Sequence, residues 1–151
     1  KKFTINVYIR EDYVYLCRSV FMIFQTATKD GPIMVSIQYD NNTGIARMEM
    51  RGTVLPFEVI NAIHEIYDII NTNNRDDMVF LFVSKCIAFS SSAIRELTKV
   101  AHIVENNFKR VASVHENIVS LNQAVKFSES QNFRVIRRFN TENEALKYLI
   151  G

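Results

Sequence analysis

Met78–Val83 (Met-Val-Phe-Leu-Phe-Val) is a run of six apolar residues with no polar break. A strand with one wet face alternates apolar and polar residues, so an unbroken run of this length predicts a strand covered on both sides. Such a strand needs a sheet around it and a layer of structure on each face. That requirement excludes small one-sided β folds and points to an α/β architecture.

The flanking segments supply those layers. Ile33, Val35, Ile37 and Tyr39 alternate on one face, and Ala46, Met48 and Met50 alternate again after Asp40-Asn-Asn-Thr-Gly44. Residues 33–51 therefore read as a β-hairpin with a loop of about five residues, Gly44 taking a positive φ. Pro56 suits the first turn of a helix, and Val59, Ala62, Ile63, Ile66 and Ile70 follow as one helical stripe. Beyond the central run, Ile94, Leu97, Val100, Ala101, Val104 and Phe108 form a second stripe. Arg110–Val114 reads as a strand, and Ile118, Leu121, Val125 and Ser128 as a third, less apolar helix. Phe133–Phe139 has the mixed character of an edge strand, and Thr141-Glu-Asn-Glu144 is a capping box opening a final helix.

The element order over residues 33–150 is thus ββαβαβαβα, an antiparallel start followed by parallel strands joined through right-handed crossovers. Asp30-Gly-Pro32 separates this domain, placed at 32–151, from an N-terminal extension at 1–31. In the extension Phe3, Ile5, Val7 and Ile9 alternate as a strand, and 12–28 fit a helix or a second hairpin. The short apolar run Val20–Phe24 is read as core, or as a surface for oligomerisation or docking.

Composition bounds the function. The 151-residue chain is long enough for a full core, and its formal charge of +2 is dispersed, which argues against a nucleic-acid partner. No segment reaches the roughly 18 apolar residues of a bilayer span. The start, Lys1–Tyr8, lacks the apolar core of a signal peptide. The two cysteines, Cys17 and Cys86, form no metal or redox motif and suit a reduced, cytoplasmic setting, with Cys86 read as a buried thiol. His64, His102 and His115 lack ligand spacing, so no metal is expected. There is no Gly-rich phosphate loop and no nucleophile elbow, so neither an enzyme nor a cofactor is expected.

The chemistry concentrates where the central strand meets the second helix, at Ala88-Phe-Ser-Ser-Ser-Ala-Ile-Arg-Glu-Leu97. A serine hydroxyl at a helix N-terminus can cap the helix, bind an anion or accept a phosphoryl group.

This serine junction, the element order and the ending Phe139–Leu149 together resemble the STAS family. Its members include sulfate-transporter cytoplasmic domains and bacterial anti-sigma-factor antagonists. In that family the junction reads apolar–Asp–Ser–Ser–Gly–Leu, and a partner kinase phosphorylates the first serine. Ser91 and Ser92 keep the serine pair, Ser90 stands where the family has Asp, and Ala93 where it has Gly.

The resemblance implies a STAS-like sheet and a non-enzymatic, cytoplasmic regulatory module. Its protein partner would be an anti-sigma factor with a serine-kinase fold. Ser91 would be the phosphoacceptor, and Ser90, Ser91, Ser92, Ile94 and Arg95 the docking surface. A second expectation, from STAS-like relatives, is a small-molecule or lipid-binding domain with an apolar pocket lined by Phe24, Phe57 or Phe89.

Overall fold

A computed structural model describes residues 34–73, 75–133 and 136–151. The N-terminal extension, with the strand read at Phe3–Ile9, the Val20–Phe24 run, Cys17 and Phe24, lies outside the described residues.

Five strands form one mixed sheet in sequence order: β1 (Val35–Asp40), β2 (Ile45–Arg51), β3 (Val79–Lys85), β4 (Arg110–His115) and β5 (Ile136–Phe139). β1 and β2 pair antiparallel, with Val35 opposite Met50 and Asp40 opposite Ile45. The remaining neighbours are parallel. Among the described residues the helices follow the expected order: α1 (Pro56–Asn73), α2 (Ser91–Asn107), α3 (Ile118–Gln131) and α4 (Glu142–Ile150). The order ββαβαβαβα is the one predicted.

Local chemistry explains where the elements begin and end. Gly44 has φ +70°, the left-handed conformation that closes the hairpin, and its N–H donates to the Asp40 carbonyl at 2.8 Å. Pro56 opens α1, and the Glu58 carboxylate reaches back to the Leu55 N–H at 2.9 Å. Thr141 and Glu144 form the reciprocal capping box at α4. α3 ends on Asn132 at φ 55°, a left-handed cap that asparagine tolerates.

β3 is the centre of the fold, with Val79–Ser84 all buried. Its Phe80 and Phe82 face a core shared with Met48, Met50, Ile66, Val100 and Val104, on the side of the crossover helices. Val79, Leu81 and Val83 face the opposite side, where they meet Ala145 and Leu149 of α4. Phe80 is fully buried and packs its ring against Phe82 at 4.8 Å and edge-on to Phe108 at 5.1 Å. Met48 and Met50, which alternate in the predicted hairpin, are both core residues, at 0% and 3% exposure.

α4 is too short to cover the whole second face. The uncovered part, over β2, carries charge instead: Glu49, buried, is ion-paired with Arg47 at 2.6 Å, with Arg51, and with Lys85 at 3.5 Å. Arg47 also forks onto Glu142, the first residue of α4, at 2.7 and 3.2 Å. This pairing anchors the helix to the sheet by a bidentate contact.

Two readings change. Ile118, read with Leu121, Val125 and Ser128 as one stripe of the third helix, is 65% exposed at the first residue of α3, which begins three residues after the end of β4. The last strand is described over Ile136–Phe139, and Phe133, read as its first residue, is not in strand conformation; its ring packs against His102 and Phe127.

Replacing Phe80 with Ala should cost about 3–5 kcal/mol, the usual range for a fully buried aromatic ring. Urea denaturation of the two proteins measures this directly.

Candidate functional site

β3 and β4 are adjacent and parallel, so the turns that follow them emerge at the same edge of the sheet. One turn carries Cys86–Ser90 into α2, and the other carries Glu116 and Asn117 into α3. Carboxyl ends of parallel strands are where α/β folds commonly place their sites. The two turns are also tied together. Gln123 of α3 accepts from the Phe89 N–H at 2.8 Å and donates to the Phe89 carbonyl at 3.0 Å. This two-point clasp fixes the backbone one residue ahead of the serines.

Each serine has a different environment. Ser90 is the N-cap, in extended conformation (φ −70°, ψ 157°), and its hydroxyl accepts from the Ala93 N–H at 3.2 Å. Its oxygen also lies 3.2 Å from that of Ser92. Ser91, the first helical residue, is exposed, and its hydroxyl has no hydrogen-bond partner among the described residues. Ala93, buried completely, leaves no side-chain bulk beneath the turn. Arg95 is exposed one turn after Ser91, whereas Ile94 is half-buried and turned toward the interior. The first turn of α2 contains no acidic residue. Its free N–H groups and partial positive charge are therefore unopposed.

Exposed apolar residues surround this edge. Ile87, in the turn before the serines, is 72% exposed, and Ile118 and Val119, at the start of α3, are both exposed. Ile118 and Val119 are held there because Asn117 caps α3, its side chain accepting from the Val119 N–H at 2.8 Å. The sequence carried a signal for this group: apolar residues directly after an asparagine cap, and an isoleucine inside a turn, have no helical neighbour to pack on.

The other titratable candidates resolve individually. Cys86 is buried at the end of β3, and burial pushes its thiol up, as expected of an inert cysteine. Burial pushes the His115 imidazole down to about 4, with the Arg138 charge adding to the effect. His102 lies 3.3 Å from Gln131 on the helical surface. Among the described residues, no three His, Cys, Asp or Glu side chains converge on a metal position. None of the described helices is long and apolar enough to cross a membrane. Of the phenylalanines expected to line a pocket, Phe89 faces a small cavity beneath α2 and α3. Phe57 is 57% exposed on α1 and is not part of that cavity's wall.

Removing the cap and removing the free hydroxyl should have unequal effects. Ser90→Ala should lose about 1 kcal/mol, the usual cost of an N-cap, and Ser91→Ala close to none; paired urea titrations test the difference. A pH series separates two further groups. An unfolded imidazole takes a proton below about 6.5, while folded His115 stays neutral down to about 4. The unfolded chain therefore binds more protons, and stability falls as the pH drops between those values, by up to roughly 3 kcal/mol. Glu49 resists burial through hydrogen bonds from Arg47 and Arg51 and the charges of Arg47 and Lys85, which hold its carboxyl at about 2. Its contribution is complete above the ordinary glutamate range and fades only below it. His115→Gln should flatten the first limb and leave the second.

No protein-family model and no curated protein sequence matches the chain. Solved structures do. An uncharacterized protein of the DUF3478 family with a SpoIIAA-like fold, from Shewanella loihica PV-4, superposes with a TM-score of 0.57 at 14% identity, covering 76% of this chain and 91% of that one. An anti-sigma factor antagonist from Mycobacterium paratuberculosis superposes with a TM-score of 0.54 at 10% identity, covering 79% and 97%. The sheet with its antiparallel start, its parallel continuation and its order ββαβαβαβα is a SpoIIAA-like, STAS-type fold.

Proposed function

We propose that the chain is a non-enzymatic STAS-type regulatory module that docks a protein partner on the edge formed by the serine junction and the start of α3. One observation carries this reading: an exposed Ser91 hydroxyl without a hydrogen-bond partner among the described residues, and the exposed Ile87, Ile118 and Val119, all follow the carboxyl ends of the adjacent parallel strands β3 and β4. Apolar side chains grouped around a small polar centre are the make-up of a docking patch. The structural likeness to an anti-sigma factor antagonist supports a protein as the partner, in this case an anti-sigma factor with a serine-kinase fold.

Ser91 is the phosphoacceptor in this reading. The division of labour among the serines supports it, because Ser90 performs the capping and leaves Ser91 free. Ser90 replaces the family's aspartate, and serine caps a helix about as well as aspartate does. The substitution keeps the cap while removing a negative charge next to the phosphorylation position. A phosphate on Ser91 would carry about −1.5 to −2 charges, favoured by the helix terminus and within reach of Arg95 one turn on. The same charge placed amid Ile87 and Ile118 would disfavour an apolar contact.

Calorimetric titration of an anti-sigma factor from the same genome tests the reading. Wild type and Ser91→Ala should bind alike, while Ser91→Asp and Ile118→Asp should each lose about tenfold or more, equivalent to 1.4 kcal/mol. Equal affinity for all four proteins would overturn it.

A further inference from the structure

The sheet face beneath α2 and α3 is incompletely filled. A cavity of about 80 Å³ remains there, walled by Phe82, Phe89, Leu97, Phe127 and Ile136. Polar groups gather at the strand ends: Ser113, His115 and Arg138 all line it. Two of them are unsatisfied within the protein. His115 Nδ1 is buried without a hydrogen-bond partner, which is uncommon for a buried polar atom. Arg138, exposed on edge strand β5, makes one long bond to the Ala124 carbonyl at 3.4 Å and pairs with no carboxylate among the described residues. Ser84 lies opposite His115 in the strand register, and the neighbouring charge that acts on the imidazole is that of Arg138.

An apolar chamber that ends in an imidazole and an unpaired guanidinium has a definite complement. A carboxylate accepts hydrogen bonds from both groups, and its alkyl chain takes the apolar walls. Volume limits the chain. The cavity is roughly half of the ~150 Å³ apolar cavity that admits benzene, which suits a chain of a few carbons. We propose that this cavity binds a short aliphatic carboxylic acid, with its alkyl chain against Phe89, Leu97 and Phe127 and its carboxylate between His115 and Arg138. Neither Ser91 nor Ile118 lines the cavity, while Ile94, counted with the docking surface, forms part of its wall.

Nuclear magnetic resonance of the full chain, following the His115 imidazole during titration with sodium butyrate, 1-butanol and n-butylamine, tests the proposal. Butyrate should give a saturable shift, and the bound anion should raise the imidazole pKa from its depressed value. Butylamine should bind more weakly than either, being repelled by Arg138. Arg138→Gln should weaken butyrate by about tenfold or more, as expected for loss of a charge-assisted hydrogen bond, and leave 1-butanol unchanged. Arg138→Lys, which keeps the charge, should retain most of the affinity, and Ala124→Leu, which fills the cavity, should abolish binding of both. The proposal fails if butyrate gives no saturable shift at His115, if Arg138→Gln binds butyrate as wild type does, or if Ala124→Leu leaves binding intact.

Discussion

The burial of β3 on both faces is the constraint from which the rest of the architecture follows. Phe80 and Phe82 need a layer on one side, and Val79, Leu81 and Val83 need one on the other. The crossovers from β2 to β3, β3 to β4 and β4 to β5 all step in the same direction along the sheet, so their helices fall on one face. The second face is left for whatever follows β5, and α4 takes it. Its nine residues cover β3 to β5, and the remaining area over β2 is held by the charges of Arg47, Glu49, Arg51 and Lys85. A buried carboxylate is tolerable there because three cations surround it.

The same topology creates the candidate site. Parallel strands deliver their outgoing turns to one edge, so the serine junction after β3 and the asparagine cap after β4 become neighbours although Ser90 and Asn117 are 27 positions apart in the sequence. The Gln123 clasp on Phe89 converts that neighbourhood into a fixed geometry. Two surfaces result, back to back. The outer one presents Ser91 with Ile87, Ile118 and Val119, and the inner one is the cavity behind Phe89 and Ile94.

Elements governed by local chemistry were readable in the sequence: the hairpin turn at Gly44, the start of α1 at Pro56 and the capping box at Thr141. So was the parallel core, because an unbroken run such as Met78–Val83 can only be stable when both of its faces are covered. The misread parts are those where a side chain's fate depends on a distant element. Ile118 matches a helical stripe, yet the sheet ends before it. Phe57 is as apolar as Phe89, yet only Phe89 has helices closing over it.

The serine cluster shows the division most clearly. Its sequence determined that a helix begins there and that a hydroxyl would cap it, since serine competes for backbone N–H groups wherever a helix starts. Only the tertiary structure decided that Ser90 performs the capping and that Ser91 stands free. The extended backbone at Ser90, held through the Gln123 clasp on Phe89, aims that oxygen at the Ala93 N–H. Likewise, the sequence placed His115 at a strand end, but its loss of solvent and of a partner comes from packing by α3 and β5, which no local pattern encodes.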